Sequence, residues 1–141
     1  MVLINTVSCT KLDIGLIDMT LFEAQQRKIA PWDNEIDNRN RVVVYLDKYP
    51  CTPGHRLYVP KDNDNTNWVV RAFEEALVDG LHMVATGECD AFNIGYNGGE
   101  AAGQTVMYPH IHLIPRNKGD VEDPVGGVRN TIPGKGNYRK W

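Results

Sequence analysis

The alternation of apolar and polar positions divides the chain into short segments with two different periods. "RVVVYLD" (41–47) is β-branched and apolar, and "HRLYVP" (55–60) alternates; both read as strands. The intervening "KYPCTPG" holds two prolines and a glycine, which predicts a hairpin with a longer loop. From Trp68 to about Val84 the residues Val69, Ala72, Phe73, Ala76, Leu77, Leu81 and Val84 recur at helical spacing. "KDNDNTN" offers N-caps before this long helix, and the glycine of "ATGECD" ends it. "AFNIGY" (91–96) reads as a strand, "NGGEAAG" as a Gly-rich loop, and "QTVMYPHIHLIPR" (104–116) as the last long strand. Upstream, "MTLFEAQQRKIA" (19–30) predicts a shorter helix with Thr20 as its cap and Pro31 as its stop. Residues 1–18 carry no clear period and are a candidate for an added edge strand, and "WDNEIDNRN" reads as a polar turn region. After Arg116 the chain is polar, rich in Gly and Pro, and expected to wrap over the surface. Strands on both sides of one long helix predict an α+β fold with an antiparallel sheet.

Composition narrows the function classes. A chain of 141 residues is expected to be one domain with a real core. Its formal net charge is −3, and no block of like charge stands out, which weighs against generic binding to nucleic acid. A small anionic ligand held by local donors stays open. No run of 18 apolar residues exists, so no membrane span is expected, and the N-terminus lacks the basic start of a signal peptide. Cys9, Cys51 and Cys89 are odd in number, far apart and without a CxxC pair, which fits a reducing, cytoplasmic setting.

The chemistry centres on "GQTVMYPHIHLIPR" (103–116). On a strand, His110 and His112 share a face with Val106, Tyr108 and Ile114, while Ile111 and Leu113 turn the other way, toward the helix. Three readings are open. The pair can lie on a solvated face. It can supply two metal ligands, with His55 or Cys51 as a third, although no nearby residue completes a recognisable ligand spacing. Or one neutral imidazole can attack phosphorus to give a phosphoramidate that water opens. Such a nucleophile needs a fixed tautomer and donors for the phosphate oxygens. The second imidazole, the Gln104 amide, the Thr105 hydroxyl and nearby backbone N–H groups are candidates. Pro109 cannot donate to a ladder, so the strand beside His110 is expected to be edge-like or bulged.

Taken together, "YLDKYPCTPGHRLYVPK", "FNIGYNGGEAAGQTV" and "HIHLIPRNKGDVEDPVGGVRNTIP" resemble the histidine triad (HIT) superfamily of nucleotide hydrolases and transferases, in particular its dinucleoside-polyphosphate-hydrolase-like branch. The likeness covers residues 41–133, leaving 1–40 as an N-terminal extension packed on the domain and 134–141 as a tail. It implies a HIT-like sheet of about five strands with one long and one shorter helix, usually paired into a homodimer with a continuous sheet. The family motif, H-φ-H-φ-H-φ-φ, places its middle histidine, the nucleophile at the α-phosphate, on His110. Its third falls on His112, which hydrogen-bonds the phosphate or leaving group, and His55 matches a further active-site histidine. Asp47 matches the residue that holds the ribose hydroxyls, and Asn97, Gln104 and Thr105 match residues around the phosphates.

The implied activity is hydrolysis of a nucleoside phosphate, phosphoramidate or dinucleoside polyphosphate through a nucleotidyl-histidine, with no redox cofactor. A nucleotidyltransferase and a nucleotide-binding module with little turnover are the alternatives; related transferases carry glutamine where His112 stands. The chain also departs from the pattern. Tyr108 takes the first triad position and Asn63 the place of a zinc-binding histidine, so no structural zinc is expected. A divalent metal accompanying a polyphosphate substrate stays compatible. The segment "GDVEDPVGGVR" resembles one near the family's active site, and Arg116, Lys118 and Arg129 are either polyphosphate contacts or surface charge. Tyr138 and Trp141 are candidates to cover a dimer partner.

Overall fold

Among the described residues five strands and one α-helix arise, and they follow the apolar pattern with two differences. The computed structural model describes Trp32, residues 34–63 and residues 65–141; the expected helix over 19–30 and the edge strand within 1–18 lie outside the described residues. In chain order the elements are β1 (Glu35–Asn38), β2 (Val42–Leu46), β3 (Arg56–Pro60), α1 (Thr66–Ala85), β4 (Ala91–Gly95) and β5 (Ile111–Arg116). The sheet order is β1-β2-β3-β5-β4, with every neighbouring pair antiparallel. This is the α+β class with a five-stranded antiparallel sheet. β2 and β3 form the expected hairpin, Val42 opposite Pro60 and Leu46 opposite Arg56. β5 inserts between β3 and β4, so that His112 lies opposite both Leu57 and Gly95.

The first difference is β1, which lies inside the segment read as a polar turn. All four of its residues are exposed. A strand wet on both faces has no hydrophobic period, so nothing in the pattern marks it. Its anchor is Arg39, whose guanidinium reaches Asp37 at 2.8 Å, Glu75 at 3.1 Å and Asp79 at 2.7 Å, tying the β1–β2 turn to α1.

The second difference is the start of β5. Only Ile111–Arg116 is strand, and residues 104–110 follow an irregular path. Pro109 has no N–H for a ladder, and the chain before it is braced locally instead. The buried Gln104 side chain accepts from Gly99 N–H at 2.8 Å and donates to the carbonyls of Val106 and Met107.

α1 starts at the N-cap Asn65, whose side chain accepts from Asn67 N–H at 2.9 Å. It ends where Gly87 turns left-handed at φ 79°. Its period is as expected, but its buried stripe is made of Ala72, Ala76, Gly80 and Met83. Phe73 and Leu77 keep about 40% of their surface, and Leu81 keeps 57%. Small residues let the helix lie close on the sheet: a Cβ at Gly80 would sit 2.7 Å from the Phe92 ring. The larger apolar side chains therefore look outward. No helix among the described residues is long and apolar enough to cross a membrane.

Strand alternation divides the core between the two sheet faces. Val42, Val44, Tyr58, Ile111 and Leu113 pack with Ala72, Ala76 and Met83 of α1. Val43, Tyr45, Leu57 and Val59 point the other way and pack with Trp32 and Tyr108. On this second face β2, β3 and β5 also present Asp47, His55 and His112.

Candidate active site

β2 runs into Asp47 and β3 begins just after His55, so the hairpin loop brings those two residues together. Asp47 N–H donates to the His55 carbonyl at 2.9 Å and closes the loop. The Thr52 hydroxyl donates to the Pro115 carbonyl at 2.8 Å, tying the loop to β5. His112, on β5 opposite Leu57, then stands beside His55, with ring centroids 5.1 Å apart.

The hydrogen bonds fix the tautomers. Cys51 N–H donates to His55 Nδ1 at 3.2 Å, so that nitrogen is an acceptor and the proton of the neutral ring sits on Nε2. His55 Nε2 lies 2.9 Å from His112 Nδ1 and 3.4 Å from Asp47 Oδ2, and it donates toward them. His112 Nδ1 accepts, which puts its own proton on Nε2. That Nε2 is buried and has no hydrogen-bond partner. A buried N–H left unpaired costs about 1–3 kcal/mol, a cost that a bound acceptor removes. The relay therefore runs from the Cys51 amide through two rings and ends on a donor waiting for a ligand.

His110 is set by a different contact. Its Nδ1–H donates to the Tyr108 carbonyl at 2.9 Å, leaving the Nε2 lone pair for chemistry. The ring is 5.2 Å from His112 and 5.1 Å from the indole of Trp32. Tyr108 thus serves through its backbone. Its side chain is buried elsewhere, the hydroxyl donating to the Pro60 carbonyl at 2.8 Å. The tyrosine at position 108 does not disturb the tautomer of His110.

All three rings are held neutral. Burial lowers His110 and His55 below the ordinary histidine value, against the opposing pull of the Tyr108 carbonyl on His110 and of Asp47 on both. For His112 burial acts first, the neighbouring imidazoles His110 and His55 add to it, and the pKa falls to about 4.

Asp47, His110, His112, Asn97 and Thr105 line one cleft of about 270 Å³, together with Lys48, Tyr49, Gly103 and the apolar Trp32, Leu57 and Val106. His55 backs this cleft through its bond to His112. Gln104 does not line it: its amide holds the loop that carries Thr105. Arg116 is engaged by Asp120 at 2.7 and 2.8 Å and by Asn93, and Arg129 by the carbonyls of Lys135 and Gly136. Trp32 is the residue that sequence reasoning did not single out. It is an isolated indole in a polar stretch after Pro31, and that isolation was its one signal. A second cavity of about 320 Å³ is lined, among the described residues, by Asn40, Arg41, Asn65, Asn67 and Trp68.

Asp47, His55 and His112 are also the set whose ligand atoms fall within metal-binding reach of one another among the described residues. The donor chemistry does not fit a metal. A histidine bound through Nε2 offers Nδ1–H to an acceptor, whereas His55 Nδ1 faces the Cys51 N–H donor.

Comparison with known proteins agrees with this geometry. The HIT domain family matches residues 33–119, more than half of the chain. A HIT-like protein of Saccharolobus solfataricus is 32% identical over 84 residues, covering 55% of this chain and 60% of that one. An adenylylsulfatase of Arabidopsis thaliana is 38% identical over 85 residues, covering 55% and 43%. The match thus spans about half the length of these relatives. Among solved structures, a zinc-bound histidine triad protein from Mycobacterium smegmatis superposes with a TM-score of 0.60 at 28% identity, covering 74% of this chain and 79% of that one. A HIT family protein from Bacillus anthracis gives 0.57 at 27%, covering 73% and 77%. With its sheet order, its paired imidazoles and a family match over 33–119, this chain belongs to the HIT family.

Proposed function

We propose that this chain hydrolyses nucleotide anhydrides at the α-phosphorus through a nucleotidyl group on His110. The supporting observation is the bond from His110 Nδ1 to the Tyr108 carbonyl, which leaves Nε2 unprotonated beside the cleft. The Nε2 lone pair attacks phosphorus, a P–N bond forms, and the P–O bond to the leaving group breaks. The ring becomes a nucleotidyl-imidazolium whose Nδ1–H stays on the Tyr108 carbonyl. Water then attacks phosphorus, the electron pair of the P–N bond returns to Nε2, and the water proton goes to solvent. His112 Nε2–H, with Asn97 and the Thr105 hydroxyl, is placed to donate to oxygens that gain charge. Asp47 stands at the cleft for the ribose hydroxyls.

The relay also bears on the leaving group. His112 is neutral far below pH 7, and its Nδ1 already accepts a bond, so it stabilises a departing oxygen without giving up a net proton. Leaving groups stable as anions, such as phosphate, polyphosphate or sulfate, fit this better than an amine. The name adenylylsulfatase, given to the Arabidopsis thaliana relative, points to the same class of bond.

The proposal includes a homodimer. β4 is an outer strand of the sheet, and Phe73, Leu77 and Leu81 of α1 are exposed. Sedimentation that finds a monomer at micromolar concentration ends that part of the reading.

The decisive experiment is trapping. Rapid acid-free quenching with a substrate labelled at the α-phosphorus is expected to leave acid-labile, base-stable label on the protein, and none on His110→Ala. Full wild-type turnover by that variant defeats the mechanism.

A further inference from the structure

Two buried N–H donors among the described residues have no hydrogen-bond partner, Trp32 Nε1 and His112 Nε2, and both side chains line the cleft that holds His110. His112 has a place in the mechanism above; Trp32 does not. Its indole is 95% buried and packs at 6.1 Å from Tyr45 and 6.2 Å from Tyr108, yet its ring lies closer to His110, at 5.1 Å, than to either. An indole N–H is a donor only, at any pH, and it cannot serve as acid or base. Buried tryptophans normally find an acceptor for it. One left unpaired beside a nucleophile is a site for an acceptor brought by the ligand.

We propose that Trp32 is a substrate-contacting residue whose indole N–H donates to a non-bridging oxygen of the phosphoryl group transferred to His110. The inference rests on the hydrolase reading and adds a residue to it. Proximity favours phosphorus over the base. The imidazole that would carry the phosphoryl group is 5.1 Å from the indole between ring centroids, close enough for the two rings to share one small group. Donors aimed at a group that gains charge act most strongly where water is excluded, and here one flanking donor is an imidazole and the other an indole.

Trp32→Phe keeps an aromatic wall and removes only the N–H. Kinetics with two anhydrides that share the phosphoryl group but differ in base, one adenosine-based and one cytidine-based, read the contact. The expected result is a fall in kcat of about tenfold to a hundredfold, similar for both bases, with KM changed much less. Unchanged kcat, or a loss confined to one base, overturns the assignment. An independent readout uses the unmutated protein, where Trp68→Phe and Trp141→Phe variants identify the Trp32 indole resonance among the three tryptophans. Its N–H signal is expected to move downfield with adenosine monophosphate and with inorganic phosphate, and to stay in place with adenosine. No shift with either phosphate, or an equal shift with adenosine, rejects the contact even if the phenylalanine variant fails to fold. If Trp32→Phe is fully active while His110→Ala is inactive, this inference falls and the hydrolase reading stands.

Discussion

The two faces of the sheet are built to opposite specifications. Toward α1, small helix residues meet Val42, Val44, Ile111 and Leu113, and the layer is apolar and tightly fitted. On the other face, the aromatics Trp32, Tyr45 and Tyr108 share space with three imidazoles and a carboxylate, and two N–H groups are left without partners. One face holds the fold together; the other keeps polar groups buried at a cost to stability, as sites of chemistry commonly do. Substitutions on the first face should change stability and leave turnover per folded molecule alone. Substitutions of the polar cleft side chains on the second face should do the reverse.

The largest effect is expected from His110→Ala, with turnover falling at least about a thousandfold and the melting temperature held or raised. The same ring shapes the pH response. In the proposed mechanism only neutral His110 attacks, and burial lowers its pKa, so the loss of activity on acidification is expected at a lower pH than an ordinary histidine would give. Stability should follow the same direction. All three rings bind protons less readily folded than unfolded, so stability is fully present above about pH 6.5 and erodes toward pH 4 as the unfolded chain takes up protons. Denaturant titrations at pH 7.5 and 5 check the sign.

Gly80→Val tests the opposite face. Its added carbons meet the Phe92 ring, and a loss of about 1–3 kcal/mol is expected, with kcat of the folded fraction unchanged. His55→Phe removes the donor that fixes His112 while keeping an aromatic ring. A fall in kcat of about tenfold is expected, equivalent to ~1.4 kcal/mol, and His55→Gln should recover part of it by offering an amide N–H. The smallest effect is Tyr108→Phe. It leaves the Pro60 carbonyl without its hydroxyl donor for a loss of about 1 kcal/mol, and kcat is expected to hold because the carbonyl that orients His110 remains. A large loss of kcat in that variant would mean that the tyrosine side chain, and not the carbonyl alone, positions His110.

Those contrasts were partly legible in the chain itself. β2, β3 and α1 follow from β-branched runs and helical spacing, because those elements bury one side. β1 was not legible, since it is exposed on both faces with a single apolar residue, Ile36, and its reason for being a strand is the backbone of β2. Spacing also misjudged which stripe of α1 is buried, as period alone does not weigh Gly80 against Leu81. The motif picked out the histidines as candidates, but the tautomers they take rest on partners it does not mark, Cys51 for His55 and the Tyr108 carbonyl for His110. Gln104, expected at the phosphates, is occupied as a brace because a loop around Gly99 needs its buried backbone groups paired.

The carbonyl of Tyr108 carries a wider consequence. Every amino acid has that oxygen, so position 108 can exchange its side chain freely, provided the new one fills the space against Pro60 and Trp32. On the proposed mechanism, a signature written as three alternating histidines asks for one ring more than the attack requires, and chains that keep only the second and third would be passed over.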